Sequence, residues 1–86
     1  MEHFEEKNHY TLDVQMVTIE QVKQFVNAAE QMKGELSITS KDNYVVSGRS
    51  LIGIFSLDLS KPVTITCDDT NYKEVFDVCE KIGIAD

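Results

Sequence analysis

Of its 86 residues the chain has no tryptophan, one proline, four glycines, two cysteines and two histidines. Glycines this few, dispersed as Gly34, Gly48, Gly53 and Gly83, form no phosphate-cradling loop. Cys67 and Cys79 are too far apart, and too far from any histidine, for a zinc site. Both fall on apolar periodic positions, so buried reduced thiols are expected rather than a disulfide or redox pair. No metal and no cofactor are expected. His3 lies in the terminal segment, and His9 opens a strand-like stretch where a surface or sheet-edge role suits it better than catalysis. Positive charge is also scarce, with 8 Lys and Arg against 15 Asp and Glu, a net charge of −7. So acidic a chain repels phosphate backbones and anionic lipid, which argues against nucleic acid or a membrane surface as partner. No apolar run approaches the roughly 20 residues needed to span a bilayer. Met1 to Lys7 lack the apolar stretch of a secretory signal, so a cytoplasmic location is expected. A hydrophobic share of 42% and a charged share of 27% are ordinary for a folded domain. One domain is expected over 1–86, with its core at about 9–82.

Periodicity supplies the elements. Tyr10, Leu12 and Val14 alternate with polar residues, which predicts a half-buried strand. Thr18 and Gln21 have the spacing of a capping box. Ile19, Val22, Phe25, Val26, Ala29 and Met32 then place an apolar stripe on a helix from about 18 to 33, which Gly34 closes as a left-handed cap. Leu36 and Ile38 mark a second strand. Lys41, Asp42 and Asn43 read as a turn, and Tyr44 to Ser47 as a third strand. Ser50 caps a short helix to about Leu57 or Leu59. After Pro62, Val63, Ile65 and Cys67 alternate with Thr64 and Thr66 in a fourth strand. Asp68, Asp69 and Thr70 offer cap residues for a last helix carrying Tyr72, Val75, Phe76, Cys79 and Ile82, stopped by Gly83. Tyr44 and Tyr72 are expected to pack at the sheet and core edge. The order strand, helix, strand, strand, helix, strand, helix buries its faces economically in one way. An α+β open-faced sandwich results, a four-stranded, mostly antiparallel sheet with three helices on one side.

The segment Ser50 to Leu57 is too apolar for a short surface helix with a single buried stripe. At about 100° per residue, Ile54 and Leu57 share a face with Gly53, while Leu51, Ile52 and Phe55 cluster on an adjacent one. If the first set is core, the second is at least partly exposed. A patch of large apolar side chains in water commonly marks a contact site.

The stretch Arg49-Ser50-Leu51-Ile52-Gly53-Ile54-Phe55-Ser56-Leu57 resembles the serine-site helix of HPr, the histidine-containing phosphocarrier of the bacterial sugar phosphotransferase system. That family shows a basic residue, then Ser-Ile-Met-Gly, then apolar residues and Ser-Leu. The resemblance covers residues 9–82 and implies the HPr fold, βαββαβα, which the derived order of elements matches. It does not extend to the family's phosphorylation site. HPr carries Gly-hydrophobic-His-Ala-Arg-Pro at the start of its first helix, and the matching positions here are Met16-Val17-Thr18-Ile19-Glu20-Gln21. Thr18 stands for the histidine, Glu20 for the arginine and Gln21 for the proline. This alignment assumes one extra residue in the hairpin near Asp42 and Asn43, and no shift of register restores the site, since no histidine occurs after His9.

A phosphocarrier needs a nitrogen nucleophile whose phosphoramidate keeps a high transfer potential, whereas a threonine phosphate is a stable ester. The family's arginine would offer planar, charge-assisted hydrogen bonds to phosphoryl oxygens; Glu20 instead repels a dianion by an estimated ~1 kcal/mol or more. Thr18 and Glu20 do suit a helix start, each stabilising it by roughly 0.3–1 kcal/mol. No catalytic residue is therefore expected, and the chain is read as a non-enzymatic relative. Ser50 matches the serine that a dedicated kinase phosphorylates in many HPr proteins, whose product binds a transcriptional regulator. The resemblance thus implies a regulatory role in carbon metabolism, with Ser50 as the switch, Leu51, Ile52 and Phe55 as the contact surface, Arg49 beside them, and a kinase or transcriptional regulator as partner. Two alternatives stand beside it: a phosphocarrier of the phosphoenolpyruvate-dependent system, and a structural homo-oligomer. The oligomeric state is left open.

Overall fold

A computed structural model describes residues 9–85. His3 and the acidic residues around it lie outside this range. The elements run β1 (His9–Val14), α1 (Ile19–Ala29), β2 (Leu36–Thr39), β3 (Val45–Ser47), α2 (Leu51–Phe55), β4 (Val63–Asp68) and α3 (Tyr72–Lys81). The strands form one antiparallel sheet in the order β1-β4-β2-β3. This is the α+β open-faced layout expected from the element order, and it matches the HPr-like arrangement. Among the described residues no helix is long and apolar enough to cross a membrane.

Alternation decides which face of the sheet is dry. Val14, Leu36, Ile38, Val63, Ile65 and Cys67 point to the helices and are buried. Thr11, Asp13, Ser37, Thr39, Thr64 and Thr66 point the other way and are half-buried or exposed. Across that open face Thr11 lies opposite Thr66, Thr66 opposite Ser37, and Ser37 opposite Ser47. Thr64 Oγ1 donates to Asp13 Oδ1 at 2.8 Å. Val22, Phe25, Val26 and Ala29 of α1 and Val75 and Cys79 of α3 close the core from above.

Several expectations are corrected. The first helix is shorter than 18–33, because its regular hydrogen bonding ends at Ala29; Met32 is still buried, carried by the turn that follows. Gly34 does not serve as a left-handed cap, since Gly83 is the one described glycine with positive φ, at 78°. A Cβ on Gly34 would instead collide with the Asp68 carboxylate and come within 2.8 Å of Asn71 Nδ2. The β2–β3 hairpin turns at Asn43, whose φ of 69° is left-handed, and β3 begins at Val45, leaving Tyr44 exposed rather than packed. Asp68 does not cap α3. It ends β4 fully buried, where Oδ2 accepts from Glu35 N and Oδ1 from Thr70 N. Asn71 precedes α3, and its side chain makes no capping bond. Ile19 and Phe76, assigned by period to core stripes, are substantially exposed; Tyr72 packs at the edge as expected, its ring against Tyr10 with centroids 4.2 Å apart. Met16 and Ile84, outside the regular elements, are core residues.

Both cysteines are free and buried, as expected. Desolvation, with a smaller contribution from Cys67, pushes the Cys79 thiol up to about 12. Desolvation and the neighbouring Asp68 raise Cys67 as well. Such thiols are poor nucleophiles at neutral pH. His9 sits at the exposed start of edge strand β1, its Nε2 3.2 Å from Glu35 Oε1.

Candidate functional site

The backbone after β3 is turned by a short run of hydrogen bonds. Arg49 N donates to Ser47 Oγ and Ser50 N to the Ser47 carbonyl. Ser50 is then extended, at φ −104° and ψ 104°, and its Oγ accepts from Gly53 N at 3.0 Å, a regular N-cap. Gly53 keeps this corner open, because a Cβ there would stand 2.9 Å from Ser50 Oγ and 3.2 Å from Val46 Cβ. Ser50 as a residue is half-buried.

Helix α2 has only five residues and divides sharply by face. Ile54 is fully buried and Leu57, just beyond the helix, is buried too. Leu51 is half-buried against the core. Ile52 is 84% exposed and Phe55 41%. An isoleucine so open to water gains nothing for the fold, since its hydrophobic contribution depends on area removed from solvent.

Arg49 is engaged elsewhere than at Ser50. Its Nε donates to the Ala29 carbonyl at 3.0 Å, and one terminal nitrogen donates to the carbonyls of Met32 at 2.6 Å and Gly34 at 2.8 Å. The guanidinium thus closes the C-terminal end of α1 and the turn after it. At the opposite end Gln15 Nε2, just before α1, donates to the Leu59 carbonyl, just after α2. These two ties set the segment through α2 antiparallel to α1, with which it packs.

The start of α1 adds Val17, which periodicity did not single out, and Ile19, which it assigned to the core. Val17, 75% exposed, and Ile19, 64% exposed, stand at the start of α1, the end toward which α2 runs. Both α2, at Ile52 and Phe55, and the start of α1, at Val17 and Ile19, thus leave large apolar side chains in water. Ile19 was hidden by its fit to the 3.6-residue period; a capping residue directly before it is the signal that its side chain lies on the first, open turn.

Thr18 and Glu20 sit at the same helix start. Thr18 Oγ1 accepts from Gln21 N, while Gln21 Oε1 accepts from Thr18 N at 3.1 Å and Val17 N at 2.8 Å. Gln21 Nε2 reaches the Ile82 carbonyl. Three backbone donors at this helix start, those of Val17, Thr18 and Gln21, are thereby taken by side chains. Exposed Glu20 adds negative charge beside them. Among the described residues, no group of three or more His, Cys, Asp or Glu side chains is arranged to hold a metal ion. Compared with protein-family models and with curated proteins, the chain matches none.

Proposed function

We propose that this chain is a non-catalytic, HPr-like cytoplasmic domain that works by docking another protein on α2, with Ser50 as a phosphorylation switch. The observation that carries the reading is the division of α2. Ile54 is withdrawn into the core while Ile52, two residues earlier, stays 84% in water with Phe55 on the same open side. Large apolar side chains grouped in water on one side of a helix commonly mark a contact site. Burying Ile52 and Phe55 against a partner would contribute about 1.5–3 kcal/mol for each side chain fully covered. The net charge of −7 favours a partner whose rim is basic.

Ser50, the N-cap of α2, would act as the switch through its charge. Phosphorylation would replace a neutral cap by a dianion at the edge of an apolar patch, changing which partners the patch accepts. Because the Arg49 guanidinium is held by three carbonyls, the phosphate would stay open for a basic residue of the partner.

The test uses two purified proteins, a bacterial HPr kinase with ATP and a carbon-catabolite transcriptional regulator. Acid-stable phosphate at Ser50, and amide shift changes centred on Leu51 to Phe55 on adding the regulator, are expected. Ile52→Asp should abolish the shifts while keeping a native spectrum. Acid-labile phosphate formed with phosphoenolpyruvate and the general phosphotransfer enzyme would overturn the reading in favour of a carrier. Self-association lost in Phe55→Asp would overturn it in favour of a homo-oligomer.

A further inference from the structure

Helix α2 cannot hold its own position. Isolated helices need about 12–15 residues to be even marginally stable in water, and α2 has five, of which Ile54 alone is fully buried. Its pose comes from the packing of Ile54 and Leu51 against the core and from what ties its ends. At the far end the tie is a single hydrogen bond, Gln15 to the Leu59 carbonyl, backed by buried Leu57. At the near end it is the Arg49 fork, together with the turn bonds of Gly48, Arg49 and Ser50 to Leu36 and Ser47.

That fork meets a need of α1. The helix ends at Ala29 with a right-handed C-cap, Glu30, and with no basic residue in its last turn. Its final carbonyls carry the negative end of the helix dipole, and the turn after it already donates to those of Val26, Ala28 and Ala29. Arg49 supplies both charge and donors from another element, reaching Ala29, Met32 and Gly34. The peptide that carries the Gly34 carbonyl is itself held from the other side. Next to Gly34, Glu35 N donates to the buried Asp68 carboxylate, and Asn71 Nδ2 reaches the Glu35 carbonyl. Arg49 therefore pulls against a rigid anchor, and it stands directly before the cap residue Ser50.

We infer that Arg49 is the positioning residue of the docking surface: by tying the start of α2 to the carbonyl end of α1, it sets where Ser50, Ile52 and Phe55 stand. The inference rests on the docking reading for its function but not for its geometry. A lysine has three donors, but all on one nitrogen, and cannot reproduce the planar fork whose two nitrogens reach Ala29 on one side and Met32 and Gly34 on the other.

The experiment compares wild type with Arg49→Gln and Arg49→Lys by amide hydrogen exchange. Ile54 N and Ser56 N, hydrogen-bonded within the Ser50–Ser56 segment, report α2; Ile65 and Cys67 in β4 report global opening. Arg49→Gln should speed exchange in α2 at least tenfold more than in β4, with Arg49→Lys in between. Equal acceleration in both elements, or none in α2, overturns the inference, because Arg49 then contributes only to overall stability or to nothing. Should Arg49→Gln not fold, Arg49→Lys carries the same comparison. Kinase-dependent phosphorylation of Ser50 is then measured on the folded variant. A raised KM accompanies selective loosening if the surface docks the kinase. Selective loosening with unchanged KM leaves the positioning intact and counts against docking.

Discussion

Ile52 and Ile54 make one substitution into two opposite experiments. Truncating Ile54, which has no exposed surface, removes packed methyl groups and leaves a cavity in the core beneath α2. Changes of this kind cost about 2–5 kcal/mol, more where the surroundings cannot collapse. Ile54 sits between the core and a helix only five residues long, which can shift inward, so a cost in the lower half of that range is expected. Ile52, 84% exposed, has almost no transfer free energy to lose, and Ile52→Ala should change stability by no more than about 0.5 kcal/mol. Alanine also has the better helix propensity, which offsets part of any loss. On a partner the order reverses. If Ile52 becomes covered, truncation forfeits about 1.5–3 kcal/mol, roughly a tenfold to hundredfold weaker Kd. Urea unfolding gives the first pair of numbers, and calorimetric titration with the transcriptional regulator gives the second. Loss of more than about 1 kcal/mol of stability in Ile52→Ala would refute the assigned exposure. Unaltered affinity in that variant would refute the assigned contact.

The remaining predictions concern the scaffold and the altered helix start. Gly34→Ala should destabilise the protein by about 2–4 kcal/mol in urea unfolding, since the added methyl displaces the buried Asp68 carboxylate from its hydrogen bonds. In an Asp68→Ala background the same change should cost far less; additive losses would refute the collision. Cys79 makes stability fall at alkaline pH. Its thiol, about 12 in the folded chain against an ordinary 9.0, ionises first in the unfolded state, so its contribution is whole below pH 9 and is lost as pH rises toward 12. The slope there is up to about 1.4 kcal/mol per pH unit for one thiol, and Cys79→Ala should flatten it; an unchanged slope would contradict the assignment. Thr18→Ala, which breaks the capping box, should cost about 1 kcal/mol in thermal or urea unfolding. Thr18→His should not become labelled with acid-labile phosphate by phosphoenolpyruvate and the general phosphotransfer enzyme, because Glu20 and the Gln21 cap remain. Labelling at wild-type carrier rates would sink that argument.

The alternation of Leu12, Ile38, Ile65 and their neighbours, the apolar stripe of α1, the Thr18–Gln21 cap and the stop at Gly83 were all readable along the chain. They depend on contacts within a few residues, and those contacts suffice for the element order and hence for an open-faced sheet with helices on one side. The split of α2 into Ile54 and Ile52 was likewise implied by helical geometry, because the direction of a side chain follows from its position in the turn. Partners distant in sequence required the fold. Nothing near Arg49 indicates that its guanidinium serves the end of α1, twenty residues earlier. Nor does a run of Asp68, Asp69 and Thr70 reveal that the first is buried against Gly34 while the second is exposed. Ile19 fits the same period as Val22 and yet faces water, since only the neighbouring elements determine how far along a helix the core extends. Local sequence sets where side chains point; tertiary packing decides which of those directions meet protein and which meet solvent, because burial is a property of what stands opposite.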